Sequence, residues 1–436
     1  MFLQNAIEKR IDDDNPVKVA LIGAGKFGSM FLSQVPSTKG IEVLVIADLK
    51  PDNAIKACKN VGWSDDLINK TKFVDTGADA IKLNEVEVVI EATGFPAAGI
   101  EHARQAFQNG KHIIMVNVEA DVLAGAALAK EAYSAGVIYS MAYGDQPALT
   151  AEIVEWARAS GFNVTSAGKG TRYQPIYHKS SPDTVWDYYG LTHEEARKAG
   201  MNPKMFNSFL DGTKSGLEMA AIANACDLEV PTNGLLFPPC GMDDLANILK
   251  PLEFGGLLEK NGQVEVVSSL ERDGRPVFKD LRWGVYAVLE APNDYAASCF
   301  KQYGMNTDDT GKYSAMYKPF HLIGMELNIS VFSAALLKKA TGQTKKFTGD
   351  VVSTTKKNLK KSEILDGEGG ATVWGKLVPS KLSLSIEALP IGLAHGIKLK
   401  NEIEENKIIT WNDVDFSSND PAISYRRKME KDFKKS

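Results

Sequence analysis

Val19-Ala20-Leu21-Ile22-Gly23-Ala24-Gly25-Lys26-Phe27-Gly28 is an apolar run that breaks into G-x-G-x-x-G and resumes at helical spacing. That order is the strand, turn and helix that open a dinucleotide-binding βαβ unit. Gly23 permits the tight turn, Gly25 lets backbone N–H groups approach a pyrophosphate, and Gly28 lets the helix pack closely on the strand. The helix N-terminus then carries the anion. Lys26 and Phe27, between the glycines, complete the expected cofactor loop. A second apolar strand, 42–48, ends in Asp48, twenty residues after Gly28. Asp48 is placed to accept hydrogen bonds from a ribose 2′-hydroxyl, whereas Lys50 could neutralise a 2′-phosphate. On the residues alone the preference leans slightly to NAD over NADP.

The pattern continues outward as a Rossmann sheet. Residues 86–92 form a β-branched run ending at Thr93-Gly94, and Pro96 opens a helix through about 109, since proline suits the first helical turn. A strand at 112–118, a helix at 120–135 and a strand at 137–142 follow. Strands alternating with helices of this length imply an α/β fold with a doubly wound parallel sheet. Thr93, Gly94, Asn117 and Glu119 then stand at the carboxyl edge, where ligands bind in open α/β sheets.

From about 150 the alternation ends, which marks an α+β second domain over 151–340, with a helix-like run at 211–225 and strands at 163–167, 265–270 and 283–290. A long amphipathic helix at 321–340 is expected to return to the first domain, 1–150. Short β-like pieces between 351 and 414, with few helix signals, predict a small β-rich module within 341–436.

A chain of 436 residues, 44% hydrophobic, can bury more than one core, and its net charge of −5 disfavours a nucleic-acid binder whose affinity comes from phosphate neutralisation. The lysine-rich stretch 338–361 and the tail Lys434-Lys435 read as a solvated basic face. Cys58, Cys226, Cys240 and Cys299 are far apart and never form C-x-x-C, so they read as reduced and mostly buried. The amino-terminal residues from Met1 and Phe2 turn polar within a few residues, and no apolar run approaches membrane-spanning length. A cytoplasmic protein without membrane partners is expected.

Hydride transfer to a carbonyl needs a cation or proton donor at the developing alkoxide and often an acid to orient it. Asp211 and Lys214, three apart, share a face if a helix starts there, although an N-capping aspartate with a surface lysine has the same spacing. Lys169, held between Gly168 and Gly170, is a second candidate, an ordinary glycine-rich loop being the alternative. Tyr317-Lys318-Pro319-Phe320-His321 adds a phenol, an ammonium and an imidazole, with His321 equally readable as structural. Asp243-Asp244 offers two carboxylates without an ordered metal-ligand pattern and reads as surface acids.

Glu91-Ala92-Thr93-Gly94, Lys169-Gly170-Thr171, Asp211-Gly212-Thr213-Lys214, Pro238-Pro239-Cys240-Gly241, Tyr317-Lys318-Pro319-Phe320-His321 and Leu365-Asp366-Gly367-Glu368-Gly369-Gly370 stand in the order of one family. Over nearly its whole length the chain resembles the homoserine-dehydrogenase-like oxidoreductases that carry a C-terminal SAF domain. That family includes the 1-deoxy-D-xylulose 5-phosphate reductoisomerase-like enzymes, which isomerise and reduce a ketose phosphate with NADPH in isoprenoid precursor synthesis, the product being 2-C-methyl-D-erythritol 4-phosphate. The resemblance implies an SAF-like C-terminal domain, NADP(H) as the favoured cofactor with NAD(H) as the alternative, and a homo-oligomer, dimer or tetramer. It also implies a small phosphorylated sugar as substrate, held by Lys204, Asn207 and Ser208 with Tyr317, Lys318 and His321, and a divalent metal whose ligands the sequence does not name. Homoserine dehydrogenases pair an aspartate with a lysine four residues later and have a lysine where this chain has Asn117-Val118-Glu119, which argues against homoserine as substrate. A dehydrogenase of another sugar phosphate or sugar acid is the alternative enzyme. A nucleotide-responsive binding or sensor protein is the alternative of another class, and the Asp211, Lys214 and Lys169 set speaks against it.

Overall fold

The computed structural model describes residues 3–434; Met1, Phe2 and the Lys435 of the basic tail lie outside the described residues. The chain forms two compact units, Met1–Glu152 with His321–Lys345, and Ile153–Phe320 with Lys346–Ser436.

In the first unit β1 (Val17–Ile22), β2 (Ile41–Ala47), β3 (Lys72–Val74), β4 (Val88–Glu91), β5 (His112–Met115) and β6 (Tyr139–Met141) form one sheet in the order β3-β2-β1-β4-β5-β6. Every pairing is parallel. Parallel neighbours need crossovers, here through helices such as Lys26–Gln34 and Pro96–Gln108, so the sheet is covered and its central strands β1, β4 and β5 are mostly apolar. Val19, Leu21, Val88, Ile90 and Ile114 are fully buried with Phe31 and Leu32 of the first crossover helix, each contributing about 1.5–3 kcal/mol of transfer free energy. Pro96 starts its helix at the first turn, and the Asn117 side chain caps Val118–Ser134 by accepting the Ala120 N–H at 3.1 Å. The expected doubly wound sheet is present. Its third strand, three residues long, is too short to show a period in sequence.

The helix expected over 321–340 is helical only over Asn328–Phe332 and, as a π-helix, Ser333–Leu337. Gly324 at φ +77° breaks the chain before it, and Lys338 at φ +56° ends it. A Cβ on Gly324 would lie 2.7 Å from Met30 Cβ, so this segment presses against the helix after β1.

In the second unit β7 (Asn163–Thr171), β8 (Gln263–Ser268), β9 (Val285–Glu290) and β10 (Tyr313–Lys318) order as β10-β9-β7-β8. β7 runs parallel to β8 and antiparallel to β9. The later chain supplies a pair, β11 (Gly349–Thr355) with β13 (Val373–Pro379), and a triplet of β12 (Ile364–Asp366), β14 (His395–Leu399) and β15 (Val414–Asp415). Helix Ser380–Ile386 stands within 351–414, where helix signals are few, and helix Pro421–Lys434 follows that stretch. Helix Thr213–Cys226 lies on β11, β13 and β8, which explains why all but Lys214 of its residues are buried. All four cysteines are free, and Cys58, Cys226 and Cys240 are buried. No helix among the described residues is long and apolar enough to cross a membrane.

Candidate functional site

The dinucleotide cradle lies at the carboxyl edge of the first unit's sheet. Gly23 has φ +97°, and a Cβ there would sit 2.7 Å from Ala92 O, so the loops after β1 and β4 meet where the strand order reverses. A Cβ on Gly28 would sit 2.4 Å from Gly23 O, which forces glycine for helix-to-strand packing. Gly25 differs. It is the N-cap of Lys26–Gln34, and a Cβ there meets nothing within 4 Å, so its surroundings leave open space of the kind a pyrophosphate requires. Lys26 is exposed beside it and Phe27 half-buried. Asp48 follows β2 and is fixed to the loop, its Oδ2 accepting the Ala24 N–H at 3.2 Å and its Oδ1 the Lys50 N–H at 3.0 Å. These residues fit a dinucleotide.

After β4, the fully buried Glu91 gathers three donors on Oε1: the Thr93 hydroxyl at 2.5 Å, the Thr93 N–H at 3.3 Å and, on one tautomer, His102 Nδ1 at 3.3 Å. Asn117 Nδ2 donates to Phe95 O at 2.9 Å and Thr93 Oγ1 at 3.4 Å, which ties the loops after β4 and β5 together. Gly94 adopts φ +68° in open space, while Glu119 is buried in the first turn of its helix. Sequence reading missed His102, whose partner Glu91 is eleven residues away on the preceding strand.

In the second unit, Lys169 lies inside β7. The glycines beside it serve the sheet, because a Cβ on Gly168 would meet Glu265 O at 1.8 Å and one on Gly170 Leu281 O at 1.9 Å. The buried Lys169 ammonium pairs with Glu218 of helix Thr213–Cys226. Asp211 is fully buried, accepts the Thr213 N–H on Oδ1 at 2.8 Å, and pairs through Oδ2 with Lys356 at 2.7 Å. Lys356 also donates to Ser180 O and Gly370 O, each at 2.7 Å, which uses all three of its protons. The solvated reading of 338–361 therefore fails at Lys356, which is buried. Lys214, half-buried, stands in the first turn of the helix.

Helix Pro203–Leu210 presents Lys204, Asn207 and Ser208 to the loop after β12. Lys204 donates to Asp366 O at 3.1 Å, Asn207 Nδ2 to Gly369 O at 2.9 Å, and Ser208 to Glu368 Oε1 at 2.5 Å. Burial works against the Asp366 charge, but bonds from Thr372 and Ala371 hold its carboxyl below the ordinary value. Tyr317 and Lys318 end β10 in this unit, and His321 belongs to the first unit. Asp243 binds Lys279 at 2.8 Å and Asn306 at 2.7 Å. Among the described residues, no group of three or more His, Cys, Asp or Glu is placed to hold a metal ion.

Beside Asp211 lies a cavity of about 200 Å³, walled by His178, Phe237 and Trp374 and floored by glycines. A carbonyl oxygen can only accept, so His178 Nδ1–H donates to Asp211 O at 2.7 Å, and Nε2 accepts from the Tyr173 hydroxyl at 2.9 Å. The imidazole stacks on Trp374 with centroids 4.1 Å apart, and Tyr173 on Phe237 at the same spacing. Burial, reinforced by the Lys356 and Lys376 charges, pushes the His178 pKa below its ordinary value, against the pull of Asp211. Glu265 holds the left-handed Phe237 (φ +51°) by accepting the N–H groups of Leu236 at 3.1 Å and Phe237 at 3.3 Å. Burial raises its carboxyl to about 7.

Residues 144–327 match the protein-family model described as "Oxidoreductase DRL, catalytic domain". No curated protein matches the chain. Among solved structures, KijD10, a 3-ketoreductase from Actinomadura kijaniata in complex with NADP, is 16% identical over 37% of this chain and 50% of its own, with a TM-score of 0.26. The chain thus spans half the length of that protein. Myo-inositol dehydrogenase from Lactobacillus casei, in complex with NAD(H) and myo-inositol, is 14% identical over 63% of this chain and 71% of its own, with a TM-score of 0.36. Likenesses this slight carry no argument about substrate. The catalytic-domain match together with a dinucleotide cradle in the same chain supports the coarse statement that the chain is an NAD(P)-dependent oxidoreductase.

Proposed function

We propose that the chain transfers a hydride between a nicotinamide dinucleotide and the carbonyl of a small sugar-derived substrate, most narrowly as a reductoisomerase-like enzyme of a ketose phosphate. The observation that carries the reading is the cradle, with Gly25 in open space at the head of a helix and Asp48 fixed at its rim. The narrower form is supported by the motif resemblance and the catalytic-domain match. Asp48 supports NAD(H) by its charge and position, the resemblance NADP(H).

When bound, the reduced nicotinamide supplies the hydride. Lys214 donates to the carbonyl oxygen as it gains negative charge, where a preorganised cation counts most. Asp211 acts as a positioning residue: fixed by Lys356, it accepts the Thr213 N–H and so sets the turn that presents Lys214. Lys169 positions the same helix through Glu218.

Purified protein is offered NADPH and NADH with deoxyxylulose phosphate, then with a panel of phosphorylated ketoses and sugar acids, and nicotinamide absorbance is followed. Oxidation with deoxyxylulose phosphate supports the narrow reading, oxidation only with another compound removes it, and no oxidation with any member sinks the sugar substrate.

A further inference from the structure

We infer that the cavity beside Asp211 is an oxyanion-binding pocket, with Lys376 as its cation, for the phosphate or carboxylate of a compound of a few carbons. The natural ligand's identity as substrate rests on the function proposed above; the pocket itself does not.

Lys376 is the one charged side chain in the lining, which contains no carboxylate. It extends from β13, and among the described residues no ion pair or side-chain hydrogen bond engages its ammonium. Three other lysines near Asp211 are committed: Lys169 to Glu218, Lys356 to Asp211, and Lys204 to the Asp366 carbonyl. An uncompensated lysine in the lining of a cavity attracts an anion, and charge-assisted hydrogen bonds to phosphate or carboxylate are the strong ones.

The other walls set the ligand's size and body. His178 has both ring nitrogens engaged and cannot neutralise or donate to a ligand without breaking a bond. Gly212, Gly216, Gly234 and Gly375 expose backbone in place of side chains. A Cβ on Gly234 would lie 3.0 Å from Lys376 Cε, so glycine at that position leaves room for the lysine stem. Trp374 and Phe237 offer apolar faces to C–H groups. A volume of about 200 Å³ falls below the usual range for drug-sized ligands, roughly 300–1,000 Å³, and suits a compound of a few carbons.

The test titrates inorganic phosphate into the full-length protein without cofactor and reads Trp374 fluorescence, with Trp374→Phe as the blank. The expected result is a saturable response whose affinity falls about tenfold or more in Lys376→Met, stays within about threefold in Lys376→Arg, and is unchanged in Lys428→Met, an exposed lysine outside the lining. Unaltered melting confirms that Lys376→Met folds; if it does not, the arginine variant and the wild-type response still decide. No response in the wild type, an undiminished response in folded Lys376→Met, or an equal loss in Lys428→Met would overturn the pocket. Glycerol phosphate against glycerate then separates a phosphate ester from a sugar acid, and preference for either retains an oxyanion site. Lys376-dependent phosphate binding in a protein inactive on every sugar would retain the pocket and remove the proposed substrate.

Discussion

Gly23, Gly25 and Gly28 are glycine for different reasons, and substitutions separate them. Gly28→Ala places a methyl 2.4 Å from Gly23 O, so the backbone must shift, at about 1–3 kcal/mol. The check is a denaturant melt, and the expected loss is of stability first and nucleotide binding second. Asp48→Ala removes a 2′-hydroxyl acceptor and a charge hostile to a 2′-phosphate, and frees the Ala24 N–H. The ratio of NADPH to NADH affinity should therefore rise; an unmoved ratio would place Asp48 away from the ribose. Lys214→Met keeps most of the aliphatic volume and deletes the charge. Turnover should fall on the order of 100- to 1,000-fold with cofactor affinity nearly intact. A loss confined to KM would instead put Lys214 on a remote anionic group.

Among elements, the joint of helix Pro203–Leu210, the Asp366–Gly370 loop and the end of β11 depends on Lys356. Lys356→Met leaves the Asp211 charge buried without its cation, while the Ser180 and Gly370 carbonyls keep Asn207 as a donor, so the loss should be about 3–5 kcal/mol by chemical denaturation. A loss below about 1 kcal/mol would mean that water replaces the ammonium. None of this was legible locally, since Lys356 and Asp211 are 145 residues apart and a lysine in a lysine-rich stretch reads as solvated. The cradle was legible because turn, cap and rim acid are encoded by spacing within one βαβ unit. Glu218, between Leu217 and Met219, and Glu265, between Val264 and Val266, did leave a signal: an acid inside an apolar run must find a partner when buried. The helix over 321–340 was overextended because apolar spacing continues across Gly324 and Lys338, where the backbone turns left-handed.

Across the whole molecule, each unit carries a fully buried carboxyl raised by desolvation: Asp121 to about 6, bonded to Tyr139 and Thr344, and Glu265 to about 7. Their folded pKa values lie above the unfolded ones, so the native state holds protons that the unfolded chain releases. Each then lowers stability as pH rises from the unfolded value to the folded one, roughly pH 4 to 6 for Asp121 and 4.5 to 7 for Glu265. The slope is about 1.4 kcal/mol per pH unit for each group, vanishing above both values. Asp121→Asn and Glu265→Gln should each flatten that part of the melting profile; an unchanged slope would show that the group is not ionising there. The central claim, a nicotinamide dinucleotide on the Gly23–Gly28 loop, is tested most directly by titrating NADPH and NADH into the wild type and Gly25→Asp and reading nicotinamide fluorescence. Because a Cβ at Gly25 meets nothing within 4 Å, the variant should melt like the wild type while its carboxylate repels the pyrophosphate. Saturable binding in the wild type that is abolished in folded Gly25→Asp is the result expected, and equal affinity in the two proteins, or no binding of either nucleotide to the wild type, would contradict the account.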